Sequence, residues 1–218
     1  MSPDLTRGSG PSNDPGPATG VRCWGAMGEP LTRDAIVAAT RSLIEREGLD
    51  AVSLRRVAAS LGVTAPALYA HVADKRDLLR AVAEGEFRRL LERFATISDT
   101  DPVGRVRRLS RAYVDHALDS PELFRTMFLF PPGIDVAAPA GEELPLATTA
   151  FESAMSALAD AVAAGAFRPV DPLMAALALW AAVHGVAEVA LMGFDFDPMT
   201  RDALVDTVVD AMITGFSA

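Results

Sequence analysis

From Leu31 onward, apolar residues recur at helical spacing, and no stretch of useful length alternates with a period of two. The pattern predicts nine helices and an all-α fold. Thr32 caps the first, Asp34 suits its positive end, Ile36, Thr40, Leu43 and Ile44 share a face, and Gly48 stops it. Ser53 caps the second, which turns Leu54, Val57, Ala58 and Leu61 inward and ends at Gly62. The third is about two turns long, capped by Thr64, with Pro66 in its first turn and Leu68 inward. Asp74 caps the fourth, with Asp77 completing a capping-box-like pair, and Leu78, Leu79, Val82, Leu90, Leu91 and Phe94 form its apolar positions up to a break at Ser98–Asp101. Pro102 opens the fifth, which closes before Pro121, and residues 121–130 make a short aromatic sixth. Leu146–Ala164 is the seventh, Asp171/Pro172 to Met192 the eighth, and Asp197/Pro198 to about Thr214 the ninth.

Two segments fall outside this pattern. Residues 1–30 are rich in Gly and Pro between Gly8 and Gly20 and nearly free of branched aliphatics, which predicts a disordered tail where Cys23 and Trp24 are incidental. Pro131–Pro145 is long for an unstructured connection, near the ~15-residue upper limit, which favours a mobile or functional loop.

Composition narrows the class further. With 50% apolar and 22% charged residues the chain reads as a soluble globular protein. Its single cysteine excludes an internal disulfide framework and a cysteine zinc cluster, and fits a reducing compartment, so a cytoplasmic location is expected. The N-terminus lacks the apolar core of a secretory signal. Leu173 to Phe194 is long enough to raise a membrane span, which needs ~20 apolar residues. It contains His184 and Glu188, much of it is alanine, and no Lys or Arg flanks it, so a helix covered by protein is the better reading and no membrane partner is expected.

The informative segment runs from Ser53 through Gly62 to His71. A capped helix, the tight turn Ser60-Leu61-Gly62-Val63 and a second short capped helix have the spacing of a helix-turn-helix. Ala58 permits close approach of the two helices, and Thr64, Ala65, Ala67, Tyr69 and His71 are small or hydrogen-bonding residues able to enter a major groove. The alternative is an ordinary corner of a helical bundle, where a two-turn helix with so few charges would be unusual.

The stretch LTRDAIVAATRSLIEREGLDAVSLRRVAASLGVTAPALYAHVADKRDLLRAV, residues 31–82, resembles the DNA-binding region of the tetracycline-repressor (TetR) family. It departs at Val72, where most members carry Phe. Farther on, LWAAVHGVAEVAL, with Trp180, His184 and Gly185, is similar to the family's Trp-His-Gly subgroup. The resemblance implies DNA binding by residues 31–78, and effector sensing and dimerisation by 79–218. Thr32, Arg33, Ser53, Arg55, Tyr69, His71 and Lys75 are expected on phosphates, and Thr64, Ala65, Pro66, Ala67 and Arg56 at base edges. It also implies a homodimer on a near-palindromic operator, joined near 172–192 and 198–214. Ala175, Ala178, Leu179, Ala182, Val186 and Val189, with Leu204, Val205, Val208, Val209, Met212 and Ile213, leave both helices too apolar for exposure.

Charge is distributed accordingly. Residues 31–90 carry ten Lys/Arg against eight Asp/Glu, net +2, while 91–218 carry eight against eighteen, net −10. No glycine-rich phosphate loop, nucleophile elbow, H-E-x-x-H or metal-ligand spacing occurs, so no enzyme activity, cofactor or metal is expected. Phe94, Tyr113, Phe124, Met127, Phe128, Phe151, Met155 and Trp180 are candidates to line a pocket for a small apolar effector, with His116 and His184 as polar partners. The bland reading of the same residues is a filled core. Two rivals stand beside a ligand-responsive repressor: a ligand-independent DNA-binding regulator, and a helical small-molecule-binding protein or enzyme whose N-terminal unit only packs.

Overall fold

The computed structural model describes residues 30–130, 144–194 and 196–218. The tail read as disordered, with Cys23 and Trp24, and nearly all of the Pro131–Pro145 connection lie outside the described residues. Among those described, nine α-helices form, and no strand. They are α1 (Arg33–Glu47), α2 (Leu54–Ser60), α3 (Ala65–Leu68), α4 (Lys75–Ala95), α5 (Pro102–Asp119), α6 (Pro121–Met127), α7 (Pro145–Ala163), α8 (Pro172–Leu191) and α9 (Pro198–Phe216).

The caps explain most of the boundaries. Thr32 Oγ1 accepts the Ala35 N–H at 3.1 Å, Ser53 Oγ that of Arg56 at 3.3 Å and Asp74 that of Asp77 at 2.8 Å. Asp171 and Asp197 cap α8 and α9, each followed by proline in the first turn. Two expectations need correction. Thr64 stands at the start of α3 without a side-chain capping bond, and only its carbonyl takes part, accepting the Ala67 N–H at 3.0 Å. Asp77 does not close a capping box on Asp74; its carboxylate accepts from the Ala73 N–H at 2.9 Å and from Arg33. A single 3₁₀ turn, Leu49–Ala51, is absent from the sequence reading because three residues carry no periodicity. Helix α9 runs to Phe216, past Thr214, because Phe216 is buried against Phe167 at 5.7 Å between ring centroids and its carbonyl accepts the Arg168 N–H at 2.9 Å.

Helix α5 is the hub of the bundle, packed on α4, α6, α7, α8 and α9. Arg107 and Arg111 pair with Asp210, Asp202 and Asp206 along α9, exposed ion pairs that fix its register more than they stabilise it, at ~0–1 kcal/mol each. In the N-terminal unit Ile36, Ile44, Val57, Leu61, Leu68 and Leu78 are fully enclosed. Val72 is buried there too, so the smaller side chain is accommodated under α3.

Helix α4 belongs to both halves. Glu86, 1% exposed, accepts from Arg41 Nε of α1 at 2.8 Å and from Arg89, so a buried carboxylate ties the N-terminal unit to the connecting helix. Helix α6 makes a second tie: Glu122 Oε2 accepts the Leu49 N–H at 3.5 Å, and the Arg76 guanidinium lies 5.3 Å from the Phe130 ring centroid.

Candidate DNA interface and effector cavity

Helices α2 and α3 meet at a turn that only glycine adopts cheaply. Gly62 has φ 70°, which lets the Val63 N–H reach back to Ala58 O at 3.0 Å. Ala58, 1% exposed, sits at the crossing, and Leu68 anchors α3 beneath. Thr64, Pro66 and Tyr69 are left exposed, Tyr69 by 60%, while Ala65, Ala67 and His71 are half-buried. The outer face thus offers a hydroxyl, a proline ring and a phenol, able to touch thymine methyls and phosphates but with no charged group to donate to guanine.

The expected phosphate contacts divide into two groups. Ser53 caps α2 and Arg55 lies in its first turn, Tyr69 and His71 follow α3, Lys75 opens α4 and Thr32 caps α1, with Arg55 and Lys75 exposed. Arg33 is already engaged: Nη2 and Nη1 reach Asp77 Oδ1 and Oδ2 at 2.6 and 2.9 Å, and Nη1 also reaches His71 O at 2.8 Å. The same hydrogen bonds hold the Asp77 carboxyl below the usual carboxylate range. Arg33 thus locks α1 to the start of α4. Arg56, expected at base edges, is likewise paired, with Glu47 and, at 3.3 Å, with Ala51 O.

Within the bundle, α4, α5, α7 and α8 line an apolar cavity of about 80 Å³. Five expected residues line it: Phe94, Tyr113, Phe128, Phe151 and Trp180. Phe87, Leu90, Leu109, Val183 and the alanines 147, 150, 154 and 157 complete much of the wall. The alanines were missed because their smallness, which makes the space, is no signal by itself in an alanine-rich sequence.

The other five expected residues sit elsewhere. Phe124 and Met127 are fully buried behind the cavity, because α6 turns them into the core, and Met155 packs on the core without facing it. His116 lies one turn past Tyr113 on α5 and is not part of the wall; its Nε2 is 4.0 Å from Glu86 Oε2. His184 stands one layer back: its Nδ1 is 2.9 Å from Tyr113 Oη, and its ring lies 4.6 Å from that of Phe128 and 5.5 Å from that of Trp180. Trp180 Nε1 donates to Tyr113 Oη at 3.2 Å. Burial lowers the His184 pKa against the opposing pull of Glu188, and raises that of Tyr113, so both are neutral near pH 7. No group of three or more potential metal ligands occurs among the described residues.

Residues 36–82 match the pattern of bacterial regulatory proteins of the tetR family, and residues 106–215 that of the tetracyclin repressor-like C-terminal domain. The chain belongs to the TetR family. This TetR-family regulator is 26% identical over 190 residues to the uncharacterised HTH-type transcriptional regulator Rv0681 of Mycobacterium tuberculosis (strain ATCC 25618 / H37Rv), an alignment covering 85% of this chain and 81% of that protein. To the class D tetracycline repressor of Escherichia coli it is 40% identical over 53 residues, 24% of each chain. Among solved structures it is similar to a Rhodococcus sp. RHA1 protein of unknown function, at 29% identity and a TM-score of 0.74, covering 88% of this chain and 99% of that one. Members of the family are transcriptional regulators with a helix-turn-helix domain and a C-terminal ligand-binding domain.

Proposed function

We propose that the protein is a ligand-responsive repressor that binds a near-palindromic operator as a homodimer and is released by a small apolar effector. The observation that carries this reading is the double membership of α4: Lys75 opens it beside the α3 face, and Phe87, Leu90 and Phe94 on the same helix line the cavity. A ligand that displaces these rings acts on the rigid element that holds the DNA-binding unit. Helix α6 gives a parallel route, since Phe128 at its end lines the cavity while Glu122 near its start touches Leu49. A coupling of ~1–3 kcal/mol between the sites would weaken operator binding roughly 5–150-fold.

The dimer seam is argued from α8. It is long and apolar enough to cross a membrane by length and composition, yet only 33% of that stretch is buried within the protomer. Ala175, Leu179 and Val186, like Val205, Val209 and Ile213 on α9, are spent on the protomer's own core, so half of the expected seam is internal. The helix is apolar all round, so its pattern alone has no phase. Its exposed face is instead Met174, Ala178, Ala181 and Gly185, at spacings of four, three and four. Gly185 has open space around an added Cβ, so nothing in the protomer requires glycine at a helix-interior position where it costs ~1 kcal/mol relative to alanine. Close approach by the same helix of a second copy gives that glycine a purpose.

The test is an electrophoretic shift on the DNA upstream of the gene, followed by a screen for small molecules that release it. A footprint with two half-sites, about ten base pairs or a multiple apart, supports the reading; no retardation of that DNA at any concentration removes its first half. Lys75→Ala should weaken binding to all sequences alike and reduce the salt slope by about one unit, measured by titration at several salt concentrations. Phe128→Ala should alter release by a verified inducer more than it alters operator affinity; an unchanged inducer titration in a folded variant would move the pocket elsewhere.

A further inference from the structure

The cavity is short of hydrogen-bond donors, and this bears on what can fill it. None of its lining residues carries a charge, and among them only Ser110, Tyr113 and Trp180 have polar side-chain atoms. A carboxylate, phosphate or ammonium buried there would have no counter-charge, at a prohibitive desolvation cost.

Each of the three polar groups has already committed its proton. The Ser110 hydroxyl donates to Val106 O at 2.8 Å, one turn back along α5. The Trp180 indole N–H donates to Tyr113 Oη at 3.2 Å. For Tyr113 the direction of its contact with His184 Nδ1 depends on the imidazole tautomer. His184 Nε2 faces the Glu188 carboxylate at 4.0 Å, beyond hydrogen-bonding distance, and the negative charge there favours the tautomer with its proton on Nε2, which leaves Nδ1 as an acceptor. In that tautomer Tyr113 gives its hydrogen to His184 and accepts from Trp180, so toward a ligand its oxygen can act only as an acceptor. Every proton on a lining polar side-chain atom is taken, and what remains is acceptor capacity.

We propose, building on the effector-cavity reading above, that the cavity selects a small neutral hydrophobe carrying one hydrogen-bond donor, a hydroxyl or N–H, which Tyr113 Oη accepts. Phenols, small cyclic alcohols and N–H heteroarenes are of this class. Ketones, ethers and esters of the same size are not, because their oxygen would lose water and find no donor. Among the residues involved, Tyr113 sets the polarity of the ligand, and Trp180 and His184 are positioning residues that act through it.

The experiment uses the full chain and calorimetric titration with matched pairs: phenol against anisole and toluene, and cyclohexanol against cyclohexanone. Phenol is expected to bind about tenfold more tightly than anisole, and cyclohexanol than cyclohexanone, the size of one well-made hydrogen bond. In Tyr113→Phe the ratio should fall to about one while toluene still binds. Equal affinities for phenol, anisole and toluene in the natural protein overturn the donor rule and leave the cavity standing. A phenol preference that survives Tyr113→Phe overturns the assignment to Tyr113. Failure of every probe to bind overturns the cavity reading itself. The matched pairs on the natural protein decide the donor rule even if Tyr113→Phe, which strips partners from Trp180 and His184, does not fold.

Discussion

Gly185→Arg should turn the protein into a folded monomer and weaken operator binding by about 10²–10⁴-fold, the avidity that joining two half-site modules confers. The side chain would enter open space in the protomer, so folding has no reason to suffer. Against a second copy the same arginine would stand in the middle of the Met174–Ala178–Ala181–Gly185 face, where neither room nor a counter-charge is provided by those residues. Gly185→Ala is the informative control. In the isolated helix it removes the ~1 kcal/mol glycine penalty, so thermal stability of a monomer would rise, while a close helix crossing would be pushed apart by one methyl and the dimer weakened. Light scattering after gel filtration reads the oligomer and a shift assay the affinity. A Gly185→Arg protein that is still dimeric and binds operator unchanged would place the seam on another face.

How much of this was legible in the sequence depends on which physical signal each feature leaves. Helix ends were readable because caps are chemical: Thr32, Ser53, Asp74, Asp171 and Asp197 each accept a first-turn amide in the structure. The 3₁₀ turn at Leu49–Ala51 leaves no such mark. Aromatic residues flagged the cavity, and five of ten flagged residues line it, but hydrophobicity alone could not separate Phe128, which faces the space, from Phe124, which fills the core behind it. Partnerships across the fold were invisible. Arg33 was expected on a phosphate and Arg56 at a base edge, yet Asp77 and Glu47, 44 and 9 residues away, pair with them. Nor could any local pattern reveal that Glu86 would be buried between Arg41 and Arg89, or that His116 would sit beside it.

That placement of His116 makes stability depend on pH. The residue is 5% exposed, and burial, followed by the positive charge of Arg93, lowers its pKa to about 4 from an ordinary 6.5; Arg89 and Arg41 push the same way and Asp119 opposes. Glu86 Oε2, at 4.0 Å, would be expected to pull it up, but Arg41 and Arg89 already neutralise that carboxylate, so desolvation prevails. Above pH 6.5 the imidazole is neutral whether the chain is folded or not, and its contribution is complete. Between 6.5 and about 4 the unfolded chain takes up a proton that the folded one refuses, so stability falls as pH falls, by up to about 3 kcal/mol at the bottom of that window, and below it this group adds no further loss. Urea unfolding at pH 7.5 and 5.0, at one protein concentration, should therefore cost the natural protein about 2 kcal/mol more than His116→Gln, whose side chain does not titrate. Carboxylates titrate alike in both proteins and cancel in the difference. Parallel losses in the two would mean that His116 charges freely in the folded state, and that the Arg41–Glu86 tie between the DNA-binding unit and the bundle opens enough to let water reach it.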